Sequence, residues 1–180
     1  VLRLIGLPQG DERRQFQLPT NTPTAALAFA PDGSRFAAAE EGGTIALLAT
    51  ADGRLLARTK AHDHRPPWEN SAYALRFSAD GTLLASGGGD GTVRLWDGTD
   101  LAPKARLTGH QDLVNTLAFS SDNRLLVSAG RDPGLFVWDV SEQKLLAQPK
   151  GHGDLCFGLQ FLPDGTHFLS AGNDRVIRLW

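Results

Sequence analysis

The chain has 180 residues, 41% of them hydrophobic and 21% charged, with a formal net charge of −2. These are values for one globular domain and exclude a chain that is mainly disordered. Lys and Arg are scattered, and no apolar run approaches the roughly 20 residues of a bilayer span, so neither nucleic acid nor membrane is an expected partner.

Residues 1–5 (VLRLI) open the chain as an apolar alternation, and residues 14–18 predict a second strand. Residues 24–62 hold the first of several related units, with strands predicted at 25–30 and 44–48 around DGSRFAAAEEGGTIALLA (32–49). A connection follows at 63–71 (DHRPPWENS), six residues longer than its counterparts. In residues 70–110, short apolar runs at 72–77, 82–86, 92–96 and 104–107 are separated by Gly/Asp/Ser turns. Four runs of about five residues with such punctuation read as an antiparallel meander, and no stretch keeps a helical period.

The same phrase returns as DGTLLASGGGDGTVRLWD (80–97), DNRLLVSAGRDPGLFVWD (122–139) and DGTHFLSAGNDRVIRLW (164–180). The starts at Asp32, Asp80, Asp122 and Asp164 are 48, 42 and 42 residues apart. First strands are predicted at 114–120 and 157–162, and third strands at 134–138 and 176–180. Residues 1–5 match residues 176–180 (VIRLW) except at two apolar exchanges, so they are a third strand and 14–18 a fourth. A unit of this length cannot bury its own apolar face and must stack on its neighbours.

Gly109-His110 and Gly151-His152 precede first strands, while Trp96-Asp97 and Trp138-Asp139 close third strands. With the period, these residues resemble the WD-repeat family of β-propellers, in which each repeat supplies a four-stranded blade. The resemblance covers nearly the whole chain. It implies an all-β partial propeller of about four blades in an arc, with pieces at 1–20, 24–62, 70–110, 112–152 and 154–180. It also implies a hydrogen-bonded set in each blade, drawn from His62, Ser86, Asp90 and Trp96; His110, Ser128, Asp132 and Trp138; and His152, Ser170, Asp174 and Trp180. The copy at 32–49 has Ala38, Gly42 and Leu48 at the matching places and is expected to lack the set and to be the least stiff blade.

His, Ser and Asp together also suit a nucleophilic triad, but a triad occurs once per site, whereas these recur three times at one spacing beside a Trp. No catalytic residue is assigned. His62-Asp63-His64 lacks the further ligands of a zinc site, and Gly87–Gly91 lacks the Lys and Ser/Thr of a phosphate loop, so no metal and no cofactor are expected. The single Cys156 excludes an internal disulfide and fits a buried hydrophobe; nothing calls for an oxidising compartment, and a cytoplasmic location is expected.

The connection at 63–71 carries Arg65, two prolines and Trp68, and by the resemblance lies on the face where propellers bind partners. Either Pro-Pro holds Arg65 and Trp68 out as contact residues, or Trp68 folds back over its own blade. Gly89, Arg131 and Asn173 differ just before each motif Asp, and Tyr73, Asn115 and Phe157 differ early in the first strands. Positions that vary on a matched scaffold are where recognition is built, so Tyr73, Asn115, Arg131, Phe157 and Asn173 are candidate partner-binding residues.

The expected function is a non-catalytic scaffold that binds a protein or peptide, within a larger protein of which both ends here look cut. The alternative is the propeller of an enzyme or signalling protein whose catalytic part lies elsewhere. An active site at the central mouth would need unmatched ionisable residues converging there. A partial array also leaves strand edges and an apolar blade face open, so an open arc or a self-associating dimer is expected of the isolated chain.

Overall fold

A computed structural model of the protein describes the backbone of residues 2–6 and 11–16, and residues 23–63 and 72–180 in full. The expectations for His64, Arg65 and Trp68 lie outside the described residues.

The repeated Asp earns its place in the turns. Asp32, Asp80, Asp122 and Asp164 each accept the backbone N–H two residues on, at 3.0, 3.0, 3.1 and 2.9 Å. The next residue in each turn is left-handed: Gly33, Gly81 and Gly165 at φ 68°, 72° and 71°, with Asn123 at 61°. Asn is the side chain that best tolerates that region, which is why DN replaces DG without altering the turn.

These turns fold each unit into a meander. The first complete sheet runs β3 (Thr24–Phe29), β4 (Arg35–Glu40), β5 (Thr44–Ala49), β6 (Leu55–Lys60), after a hairpin of β1 (Leu2–Gly6) and β2 (Asp11–Phe16). The second runs β7 (Ala72–Phe77), β8 (Leu83–Gly88), β9 (Thr92–Asp97), β10 (Pro103–Thr108). The third runs β11 (Val114–Phe119), β12 (Leu125–Gly130), β13 (Phe136–Asp139), β14 (Lys144–Ala147). The last has three strands, β15 (Cys156–Phe161), β16 (Phe168–Gly172) and β17 (Ile177–Leu179). All pairings are antiparallel, and the described residues contain no helix.

Most strand ends shift by a residue or two, and two starts move by at least two residues. β2 begins at Asp11 rather than residue 14, because backbone pairing of Gly6 with Asp11 carries the ladder through a charged run. β13 begins at Phe136 rather than residue 134, since Pro133 has no N–H to give; Gly134 makes only an isolated bridge to Lys150.

The innermost strands β3, β7, β11 and β15 pack side by side, and the sheets fan out from them. The core is therefore divided into slabs between sheets. Ala37, Ala39, Ile45 and Leu47 of the first sheet meet Leu75, Phe77, Leu84 and Trp96 of the second. Ala85, Val93 and Leu95 of the second meet Leu117, Leu126, Phe136 and Trp138 of the third. Val127 and Ala129 of the third meet Leu159, Phe161 and Phe168 of the last. Each interface sets smaller residues against larger ones, which lets twisted sheets approach closely.

Polar contacts add to the slabs at the end bearing the first turns, called the lower end below. Arg35 donates to the carbonyls of Gly98 and Gly81 at 2.7 and 2.8 Å, tying the first sheet to the second. The Asn123 side chain accepts the Ala79 N–H at 2.7 Å, tying the second to the third.

Candidate functional site

At the opposite, upper end, the connections entering each sheet meet the turns between its second and third strands. Here His110 Nδ1 lies 2.6 Å from Asp132, His110 Nε2 lies 2.7 Å from Ser128 Oγ, and Trp138 Nε1 donates to the same oxygen at 2.7 Å. In the second sheet His62 stands 2.9 Å from Asp90 and 2.8 Å from Ser86, which accepts Trp96 Nε1–H at 2.9 Å. In the last sheet His152 stands 2.6 Å from Asp174 and 2.8 Å from Ser170, which accepts Trp180 Nε1–H at 2.9 Å.

The donors fix the tautomer. The indole can only donate, so the serine hydroxyl accepts from Trp and must give its own proton to His Nε2. Nε2 is then the acceptor, and Nδ1–H donates to the carboxylate. Arg178 also lies 2.7 Å from His152 Nδ1, but that nitrogen carries a proton, so its productive bond is the one to Asp174 at 2.6 Å.

This proton order is that of a Ser-His-Asp triad, yet the hydroxyls do no such chemistry. Ser86, Ser128 and Ser170 are sealed from solvent, which leaves no room for a substrate carbonyl to reach them. The set is a fully paired polar core, and its glycines show how closely it is built. A Cβ on Gly88 would come 2.3 Å from the His62 ring, and one on Gly172 would come 2.4 Å from His152.

Burial pushes the Asp90 carboxyl up, but the hydrogen bonds from His62 Nδ1–H and from Thr92 outweigh it and hold it well below the carboxylate range. Asp132 follows the same balance through His110 and the Gln111 N–H. Asp174 does so through His152 and Arg178, ending at about 2.

One position separates the third sheet from the second and the last. Arg94 lies 3.2 Å from Asp90 and 3.1 Å from Asp63, and Arg178 reaches Asp174. The third sheet has Phe136 there, packed against His110 with ring centroids 3.7 Å apart and the planes tilted by 36°.

In the first sheet, Ala38 and Leu48 leave no polar set on these strands. Glu40 instead occupies the place taken elsewhere by Gly88, Gly130 and Gly172. It is fully buried and accepts two hydrogen bonds from Arg58, at 2.7 and 3.0 Å. Sequence reasoning missed this ion pair. The signal was a carboxylate at a position that is otherwise always glycine.

The candidate contact residues share a structural cause that alternation did not reveal. Tyr73, Asn115 and Phe157 each fall where pairing slips by one residue, between Ala72 and Ala74, Val114 and Thr116, and Cys156 and Gly158. They are the extra residues of β-bulges, which re-aim a side chain at a sheet's rim. Phe157 is 58% exposed. Asn115 is half-buried, and its Oδ1 has no hydrogen-bond partner among the described residues.

Arg131 is exposed and lines a polar pocket of about 450 Å³ with Gly89, Asp90, Gly91, His110, Gln111 and Asp112. Asn173 donates to Asp154 at 2.6 Å; with the Leu155 N–H and the charge of Arg131, it holds the Asp154 carboxyl below its usual range. Asp112 and Asp154, each two residues after a motif His, were also missed, although their offset is identical. A second cavity of about 300 Å³ lies at the lower end, between Arg76, Ala118 and Gln160 on three innermost strands. Among the described residues no cluster of three or more His, Cys, Asp or Glu could hold a metal ion.

Radial antiparallel sheets, three of them locked by the same internal set, define a repeat-built β-propeller. Residues 52–97, 101–139 and 143–180 match the family model "WD domain, G-beta repeat", and the chain belongs to that family. Each match starts at an outermost strand and ends with the third strand of the next sheet, so the sequence repeat straddles two blades. WD repeat-containing protein 1 of Xenopus tropicalis is 40% identical over 74 residues, covering 39% of this chain and 11% of that protein. The Mus musculus protein is 38% identical over the same length. The chain thus spans about a tenth of these relatives.

Among solved structures, one titled "Structure of U3-55K" superposes with a TM-score of 0.81 at 26% identity, over 91% of this chain and 50% of that one. "Crystal structure of RRP9 WD40 repeats" gives the same score and identity over 91% and 49%. WD40 propellers generally serve as scaffolds that bind protein partners.

Proposed function

We propose that this chain is a non-catalytic scaffold, one partial propeller within a larger protein, that holds a protein or peptide partner at its upper end. The reading is carried by the bulges: consecutive innermost strands each turn out an extra residue at the same end, Tyr73, Asn115 and Phe157. Their identities differ while the surrounding frame repeats, as expected where recognition rather than folding sets the residue. Arg131 and Asn173 extend the surface around the turns, and Arg65 and Trp68 belong to the same reading.

A photo-crosslinking amino acid placed at Phe157 tests it, with a second at Asn123 on the lower end as control. Both proteins are exposed to lysate and the adducts compared. Discrete adducts at position 157 that Asn115→Ala weakens are expected. Adducts that form equally well from position 123 would refute the upper end as the binding face.

A further inference from the structure

Three arginines, Arg94, Arg131 and Arg178, stand at the upper ends of the second, third and last sheets. Arg94 and Arg178 are spent on the carboxylates of their own blades. Arg131 has no carboxylate within 4 Å among the described residues. The reason lies in the third sheet, where Phe136 supplants the bridging Arg and packs on His110, and Asp132 is satisfied by His110 and the Gln111 N–H.

The pocket beside Arg131 is open and polar. On the side of the second sheet it is walled by Gly89 and Gly91, which project no side chain into it. The oxygens of Asp90 are engaged by His62, Thr92, Arg94 and the Asp63 N–H. Both ring nitrogens of His110 are engaged as well. Two charged groups remain available: the Arg131 guanidinium, and Asp112, whose Oδ1 accepts the Leu113 N–H at 2.6 Å while Oδ2 makes no hydrogen bond among the described residues.

We infer that this pocket between the second and third sheets takes a carboxylate side chain of a bound peptide, with Arg131 holding the carboxylate and Asp112 accepting an adjacent N–H. The inference rests on the peptide-binding reading above and specifies its chemistry. A planar monoanion fits the guanidinium fork in bidentate fashion. A phosphate dianion fits less well, because Asp112 lines the same pocket and ionised Asp154 lies within the field of Arg131. Each added negative charge on the ligand would be repelled by two carboxylates.

The test pans a random dodecapeptide phage library on the 180-residue protein and on its R131E and D112N variants, with circular dichroism confirming that all three fold alike. Wild type is expected to select peptides with Asp or Glu at one position, and R131E to select Lys or Arg there. A labelled consensus peptide should lose about tenfold in affinity when its Glu becomes Gln, in line with one charge-assisted pair. It should bind D112N more weakly and should bind less well with phosphoserine at the acidic position. A wild-type consensus lacking an acidic position, one that R131E leaves unchanged, or tighter binding of the phosphoserine peptide would overturn the inference while leaving the peptide-binding reading intact. Selection of no peptide by wild type would overturn both.

Discussion

Replacing Ser128 with alanine removes one oxygen atom and leaves two buried polar groups stranded. Trp138 Nε1–H and His110 Nε2 both bond that oxygen at 2.7 Å, and with Trp138 2% and His110 8% exposed, water cannot take its place. The backbone itself accepts alanine, because Ala38 occupies the equivalent position of β4 with the same strand pairing. The loss is therefore polar rather than steric. Each orphaned buried group costs about 1–3 kcal/mol, so Ser128→Ala should cost about 3 kcal/mol.

Stacked blades need not open together, and a global melt would average the effect, so native-state hydrogen exchange is the right assay. At about 1.4 kcal/mol per tenfold, the amides of β12 and β13 should exchange on the order of 100-fold faster, and those of β4 and β5 little faster. Adding Trp138→Phe removes the orphan donor, and the double-mutant cycle should show a coupling of about 1 kcal/mol or more. An acceleration below about threefold, or one equal in all sheets, would refute the view that the set holds each blade from within.

Arg58→Met strands the buried Glu40 carboxylate; discounted for the partly exposed arginine, the cost should be about 2–3 kcal/mol by urea titration, and Glu40→Met added to it should recover part of that. Gly88→Ala brings a Cβ to 2.3 Å from the His62 ring and should detach that histidine, visible as lost protection of the Trp96 indole proton. The depressed Asp174 carboxyl contributes stability present above its ordinary value near 4 and lost as pH falls toward about 2, so Asp174→Asn should flatten an acid-unfolding curve within that window. Val176, Ile177 and Leu179 are exposed, Ile177 by 71%, so the isolated chain should self-associate in light scattering at rising concentration, and Ile177→Lys with Leu179→Lys should abolish it.

The sheets were legible because their turns are written in residues with one conformational use. Asp-Gly closes a left-handed turn at Gly33, Gly53, Gly81, Gly91 and Gly165, and Asn123 obeys the same rule. The histidine sets followed from family resemblance, since spacing alone does not tell a buried network from a triad; burial of Ser128 and its bond from Trp138 do. The bulges were hidden because a slip of one residue leaves stretches such as AYALRF and VNTLAF as apolar as an unbroken strand. The Glu40–Arg58 pair was hidden because its partners sit on strands two apart, where no local pattern joins them.

Folding and recognition use different atoms of the same short segments. In the turn Gly130-Arg131-Asp132, glycine admits the chain beside the Leu113 carbonyl, where a Cβ would lie 1.8 Å away, and aspartate anchors the histidine. Arg131 between them does neither. The next unit has Gly172-Asn173-Asp174, where Asn173 binds Asp154, and the previous one Gly88-Gly89-Asp90, so the middle residue changes while its neighbours do not. At Asn115 and Phe157 the bulges follow a similar logic, because the extra residue there is the one that the ladder does not pair. A chain that keeps its glycine, aspartate and paired residues can therefore exchange the middle and bulged ones at little cost in stability. Arg131→Asn, which writes the last unit's residue into the third, should leave β12 exchange unchanged while altering which peptides bind, and a loss of protection there would show that the two tasks are not separable.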